Sequence, residues 1–290
     1  SKSKAGLLMM ILFTFSMSGC LSDRAIEAIE SNDPCSTDIQ VRESDGTLKI
    51  LTYDIAGFSD ELIAQFVNQT GTEVEFIRTD DAGGILDQMM LTKAAPQADL
   101  MIGLDNTYLP TAIQNCLLMA NNVSDESFTQ SSLEFYQGPL AVPFDEGDVC
   151  LNYDEDALAA DNMSVPTSLW NLTEPEWNGK ITFPSPMTSS PGRAFLAATV
   201  DYFGHEPGNQ SGDMAGWWTA MAQNGAIFTT GWSESYVTYY TGGFGEYMEG
   251  YIGGAYLTVS YCHSPGVEAY YAGNYTHSTS LVLPRASFHQ

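Results

Sequence analysis

Three stretches carry residues that could do chemistry. TTGWSESYVTYY, from Thr229 to Tyr240, sets Trp232 between a glycine and Ser233, and its GWSES nearly matches the G-x-S-x-G elbow that presents a nucleophilic serine. Ser235 stands where the last glycine of that motif belongs, and no base with an orienting acid can be assigned to Ser233. YCHSP places Cys262 beside His263, but a thiolate–imidazole pair needs facing side chains, and adjacent residues of a strand point to opposite faces. TSSPG puts Ser189 and Ser190 ahead of Pro191 and Gly192 at the start of a helix. Proline suits the first helical turn, and the free N–H groups there, with the serine hydroxyls, form either an anion site or an ordinary helix cap.

The other candidates are aromatic or acidic. An indole on a corner between a glycine and a capping serine can offer its face to a flat or cationic ligand, worth about 0.5–2 kcal/mol. The competing reading buries Trp232 in the core, as expected for much of Trp170, Trp177, Trp217 and Trp218, and makes Tyr236, Tyr239 and Tyr240 packing residues. Tyr261, closing GAYLTVSY, is the natural second aromatic. Asp54, Asp81, Asp105 and Asp145 each follow a strand-like run; one alone reads as a turn or cap, whereas four in equivalent places read as a polar cleft. The chemistry these residues favour is binding rather than catalysis.

The elements that must position them alternate along the chain. LKILTYD, EVEFI and ADLMIGLDN read as strands separated by helices over DELIAQFVNQT, which Ser59 can cap and Gly71 can end, and ILDQMMLTK. A helix from Pro110 to Met119 and a strand pair, LAVPFD and DVCLNYD, come next. A second alternation begins near Pro166: SLWNL as a short helix, KITFP as a strand, helices over PGRAFLAATVDYFG and MAGWWTAMAQN, then IFTTG, a helix capped by Ser233, and GAYLTVSY. The fold class is therefore α/β in two halves, with the ligand expected beyond the carboxyl ends of the strands.

Ten Lys and Arg against 36 Asp and Glu give a formal net charge of -26, which repels nucleic acid and anionic lipid and welcomes a cation. SKSKAGLLMMILFTFSMSGC reads as a secretory signal over residues 1–20, whose apolar run is too short to span a bilayer, with a lipobox that makes Cys20 a lipid anchor. Residues 21–46 read as a flexible tether. Cys35, Cys116, Cys150 and Cys262 remain, and export permits disulfides among them in any of three complete pairings. The lack of C-x-x-C and H-x-x-x-H spacings argues against a metal site. Sequons begin at Asn68, Asn122, Asn162, Asn171, Asn209 and Asn274.

In order, LTYD, the DD of IRTDDAGG, ADLMIGLDN, VPFDEGD, TSSPG, TTGWSESY and VSYCHSP resemble the thiamine-binding solute receptors of ABC importers, across residues 48–285. The resemblance implies the two-lobed type II periplasmic binding-protein fold, each lobe a mixed sheet flanked by helices. Lobe 1 would take 47–142 plus 268–290 and lobe 2 would take 143–267. It implies ligand contacts at Asp81 and Ala82, Ser189 and Ser190, Trp232, and the run Tyr261, Cys262, His263, Ser264, within a wider cleft including Asp54, Asp105, Asp145, Gly192 and Tyr236. Trp232 and Tyr261 would face the rings, Ser189 and Ser190 the hydroxyethyl arm or its phosphate, and Asp81 the polar edge.

The implied ligand is thiamine, thiamine phosphate or thiamine diphosphate, with no cofactor. The implied partners are a permease and its ATPase, for a monomeric receptor held at the membrane by its lipid alone. Ala82 departs from the family's usual glycine, and Cys262 and His263 stand where small hydroxyl residues are common. Family members continue beyond the position of Gln290, so a C-terminally incomplete lobe 1 is expected. The rival readings are a ferric-ion receptor, which would present paired tyrosines where Ser260-Tyr261-Cys262 offers one, a polyamine receptor, and a secreted serine hydrolase using Ser233.

Overall fold

A computed structural model describes Cys35 and residues 39–290, apart from 55–56, 125, 127, 134–137, 206–212 and 274–275. The signal, Cys20, most of the tether, and the sequons at Asn209 and Asn274 lie outside the described residues. Val41–Gln290 form the larger of two compact units and hold every element of the site. The tether expected to reach residue 46 ends sooner. The Arg42 guanidinium bonds the Asp99 carboxylate at 2.8 Å and the Thr47 carbonyl at 2.6 Å, fixing the chain to the body ahead of its first strand.

That strand, β1 (Thr47–Tyr53), runs parallel to β2 (Glu73–Thr79) from Thr47↔Glu73 to Tyr53↔Thr79, and to the short β3 (Leu100–Met101) on its other side. Between β1 and β2 lies α1 (Asp60–Thr70), where Ser59 accepts the Leu62 N–H and Gly71 closes the helix at φ 72°. The helix α2 (Ala82–Leu91) comes after β2 and packs Ala82 and Leu86 against Tyr108, Leu109 and Ala112 at the start of α3 (Leu109–Gln114). A single turn, α4 (Gln130–Leu133), precedes the second sheet.

Of the expected strand pair, only β4 (Asp148–Asp154) forms. Residues 141–147 carry no ladder, and Pro143 among them has no N–H to give one. After α5 (Glu155–Ala160) come β5 (Ile181–Pro184), α6 (Ser190–His205), α7 (Met214–Gln223), β6 (Ile227–Thr229), a π-helical segment (Glu234–Tyr239), β7 (Leu257–Tyr261), α8 (Ser264–Tyr271), β8 (Ser278–Leu281) and β9 (Phe288–His289). The sheet order is β6-β5-β7-β4-β8, with β9 also on β4.

The expected assignment of 268–290 to the first half is thereby corrected. β8 pairs with β4 from Leu151↔Leu281 to Asp154↔Ser278, and β9 pairs Asp148↔His289 and Val149↔Phe288. β4 is buried along nearly its whole length, so its free edge needs these partners.

Aromatic side chains fill this half. Trp177, Trp217, Phe183, Phe195 and Phe203 are buried, and the Trp217 indole N–H donates to the Leu169 carbonyl at 2.8 Å, as a buried indole requires. Trp170 and Trp218 pack at its margin. Cys150 in β4 is disulfide-bonded to Cys262, just past β7, with Cα atoms 5.4 Å apart; Cys116 is also disulfide-bonded. Among the described residues no helix is long and apolar enough to cross a membrane.

Candidate functional site

The residues singled out from the sequence stand at the carboxyl ends of strands from both sheets. Asp81 follows β2 and Asp105 follows β3; Ser189 and Ser190 follow β5, Trp232 follows β6, and Tyr261 ends β7, while Tyr53, not among them, ends β1. Asp81 is the centre of contact. Its Oδ1 accepts the Ala82 N–H at 2.9 Å, capping α2, and reaches the Ser190 N–H of α6 at 3.5 Å; its Oδ2 accepts the Trp232 N–H at 3.2 Å. Burial pushes the Asp81 pKa up. The N–H groups of Ala82, Trp232 and Ser190 and the Ser189 side chain oppose that shift without cancelling it.

Asp105 bridges in parallel. Its Oδ1 accepts from the Thr107 N–H and hydroxyl, both at 2.6 Å, and its Oδ2 accepts the Ser190 hydroxyl. Around these carboxylates sit phenols. The Tyr261 pKa is raised by burial and then by Asp81, Tyr53 and Asp105; that of Tyr53 is raised by burial and then by Asp145 and Asp81. A face with this many carboxylates and aromatic rings suits a cation.

Trp232 forms a wall. Its ring stacks on Tyr236 with centroids 4.8 Å apart and planes 14° apart, and its indole N–H donates to Ser260 Oγ at 2.9 Å. Ser233 does not cap the turn, contrary to expectation: it already has helical backbone angles and its side chain makes no cap bond. The turn is held instead by Glu234, whose carboxylate accepts the Thr230 N–H at 2.8 Å, and by Asp81 from the other sheet. Ser235, where the elbow motif wants glycine, is buried in a hydroxyl trio with Thr182 and Thr258.

Several expected residues play other parts. Ser189 is wholly buried, and Gly192 is a packing residue: a Cβ there would lie 2.4 Å from the Pro184 carbonyl oxygen. The N–H of Ala82 is taken by Asp81, so the close approach falls one residue later. Gly83 donates to the Thr188 carbonyl at 2.8 Å, and a Cβ on it would meet the Thr188 Cα at 2.7 Å. Cys262 offers no thiol, being bonded to Cys150. Tyr236, 1% exposed, backs the wall rather than facing a cleft. Asp54 lies exposed on the turn after β1, where Arg78 holds its carbonyl. Asp145 is exposed as well, near enough to Tyr53 to raise its pKa. His263 stacks on Tyr261 at 5.4 Å, and Ser264 bonds Ser260 at 2.9 Å.

Other residues join these without having stood out in the sequence. The Gln290 side-chain N–H group lies 3.1 Å from the Ser190 hydroxyl and 3.4 Å from that of Tyr261. Arg193 lies over the Tyr108 ring at 4.2 Å, and the Tyr108 hydroxyl, pushed up to about 12 by burial, donates to the Met187 carbonyl at 3.3 Å. Asn106 donates to the His289 carbonyl, leaving its own buried Oδ1 without a partner. Only Tyr53 carries a signal in the sequence, as the aromatic ending the first strand; the others depend on long-range approach. Among the described residues no group of three or more His, Cys, Asp or Glu could hold a metal ion.

Residues 95–236 match the family described as bacterial extracellular solute-binding protein. The thiamine-binding periplasmic protein of Escherichia coli K12 is 26% identical over 164 residues, 57% of this chain and 46% of that one. That of Brucella suis is 28% identical over 194 residues, 66% and 54% of the two chains. The chain thus spans about half the length of these curated relatives. A solved periplasmic thiamin binding protein superposes with a TM-score of 0.64 at 23% identity, over 84% of this chain and 71% of that one. The fold is that of the type II periplasmic binding proteins.

Proposed function

We propose that the chain belongs to an exported receptor that captures thiamine or a thiamine phosphate between its two sheets and delivers it to the permease and ATPase of an ABC importer. The observation that carries this reading is the convergence of Asp81 and Asp105 with Tyr53, Tyr261 and Trp232 at the carboxyl ends of strands from both sheets. A thiazolium ring is a flat cation, for which aromatic faces and carboxylates are complementary. The relatives' names give the same ligand.

In this reading Trp232 and Tyr261 flank the rings. The free acceptor of Asn106 and the carboxylate of Asp81 face the amino group and polar edge of the pyrimidine. The Ser190 N–H, only loosely held by Asp81 at 3.5 Å, is the donor left for the hydroxyethyl arm or its phosphate. Ligand that touches both sides favours the closed arrangement. The receptor is read as a monomer anchored through lipid on Cys20, without nucleic-acid binding, cofactor or catalysis.

Calorimetric titration with thiamine, thiamine phosphate, thiamine diphosphate, ferric citrate and spermidine tests it. Saturation with a thiamine species alone is expected. Saturation with none of them overturns the reading; a response to iron or spermidine alone replaces it with the corresponding receptor. Labelling of Ser233 by a serine-reactive probe would move the protein to the hydrolases.

A further inference from the structure

The outer face made by the 3-10 turn Phe244–Tyr247 and α8 takes no part in the site above, yet it is strongly aromatic. Tyr247, Tyr270 and Tyr271 are 83%, 79% and 81% exposed, and Phe244, Met248 and Val267, on or next to the same two elements, are exposed as well. Val267, Tyr270 and Tyr271 share one side of α8 by their i, i+3 and i+4 spacing. The Phe244 backbone N–H lies near enough to the Glu268 carboxyl to oppose the rise that burial gives its pKa, so the two elements approach each other at this point. Exposed large apolar groups gathered on one face mark an interaction surface.

The charge around this face says what it would accept. Glu246 is exposed on the same turn, with His277 Nε2 3.9 Å from its carboxylate, and Glu249 is exposed just beyond it; no lysine or arginine occurs in the sequence between Arg193 and Arg285. A second copy would bring the same carboxylates against them, and an anionic lipid surface would be repelled. Carboxylates among exposed phenol rings suit ammonium and guanidinium groups. We propose that this face docks a protein segment in which Lys or Arg alternates with apolar side chains.

The face is also joined to the ligand wall. Phe244 lies 6.0 Å from Tyr236, which stacks under Trp232, so a partner seated on Phe244 bears on the back of that wall. In the receptor reading the partner is the extracytoplasmic side of the permease, but the surface is argued from its own residues and does not depend on the identity of the ligand.

The test is a fluorescence-anisotropy titration of the protein, without thiamine, against a synthetic peptide alternating arginine and leucine and against its citrulline counterpart. Saturable binding of the arginine peptide is expected, with slowed amide exchange confined to 244–252 and 264–271. The double variant Tyr247→Ser/Tyr271→Ser keeps net charge and, both side chains being exposed, the thermal midpoint; it should bind at least tenfold more weakly. Equal binding by the double variant, equal binding of the citrulline peptide, or protection spread over the whole surface overturns the proposal. Tyrosine-dependent self-association in sedimentation does so too, by giving the face to a second copy. Failure of the thiamine titration leaves each of these outcomes readable.

Discussion

The Asp81 carboxylate caps its own helix and the opposite half of the molecule at once, accepting the Ala82 N–H at 2.9 Å through Oδ1 and the Trp232 N–H at 3.2 Å through Oδ2. The first is a local cap available to any aspartate ahead of a helix. The second satisfies an N–H at the start of the turn carrying Trp232, which Ser233 leaves uncapped. One side chain therefore sets both the direction of the indole and the approach of the two sheets.

Asp81→Asn keeps an acceptor and removes the charge. For a cationic ligand, affinity should fall about tenfold, equivalent to about 1.4 kcal/mol. The sign of the pH effect comes from the raised pKa. A bound cation favours the carboxylate, so in the wild type affinity declines as pH falls through the raised Asp81 value, above the ordinary 3.8. Titrations across that window should slope for the wild type and lie flatter for Asp81→Asn. Equal slopes would assign the pH dependence to another group.

Trp232 has a structural share as well as a binding one. Trp232→Ala removes the ring stacked on buried Tyr236 and the donor to Ser260, so stability should drop by about 2 kcal/mol, short of the ~3–5 of a fully buried tryptophan. Trp232→Phe keeps a stacked ring but loses the hydrogen bond, about 0.5–1.5 kcal/mol, and part of the indole's packing, so its cost should fall below that of Trp232→Ala. Thermal melts of the two variants, set beside their thiamine affinities, separate the wall from its scaffolding: the phenylalanine variant should retain most of the binding and the alanine variant should lose at least tenfold.

Much of this is legible in the sequence, and the failures share a cause. The Ser59 cap, the Gly71 stop, the parallel β1–β2 pair and the start of α6 at Ser190 arise from local propensity and patterning, which the residues state directly. Asp81, Ser190, Trp232 and Tyr261 stand out by type and place, and the fold brings them together. The errors concern approach between distant segments. Nothing near Ser233 says that Asp81 will serve the turn instead, and nothing near residue 280 says that β4 still needs a partner. Gly83 is ordinary beside Ala82 until Thr188 comes against it. Asn106 and Gln290 carry no local mark at all.

Gly83 and Gly192 test that close approach. An alanine Cβ would meet backbone in each case, at 2.7 Å from the Thr188 Cα and 2.4 Å from the Pro184 carbonyl oxygen, and backbone cannot swing aside as a side-chain tip does. Each substitution should cost about 1–3 kcal/mol. They differ in consequence: Gly192→Ala strains α6 against its own sheet and lowers the midpoint only, whereas Gly83→Ala pushes the two sheets apart and should weaken ligand binding too. Denaturant midpoints with parallel titrations distinguish the two, and unchanged binding in Gly83→Ala would show that this contact does not set closure.

His277 gives the second half of the molecule a pH dependence of its own. Burial pulls its pKa down, but the hydrogen bond to Asp154 at 3.0 Å and the charges of Asp154, Glu246 and Asp156 raise it further, and the net shift is upward. The folded state therefore holds this proton more tightly than the unfolded chain. The resulting stability is fully present below the ordinary value near 6.5 and is lost as pH rises through the raised one. Glu268, raised by burial, acts in the same sense at lower pH, so the His277 window is the upper one. Asp154 also caps α5 through the Ala157 N–H at 2.9 Å, so the histidine is the side to change. Thermal midpoints of the wild type should decline from about pH 6.5 upward, while those of His277→Gln should start lower and stay flat across that window. Parallel curves for the two proteins would place the titrating group elsewhere.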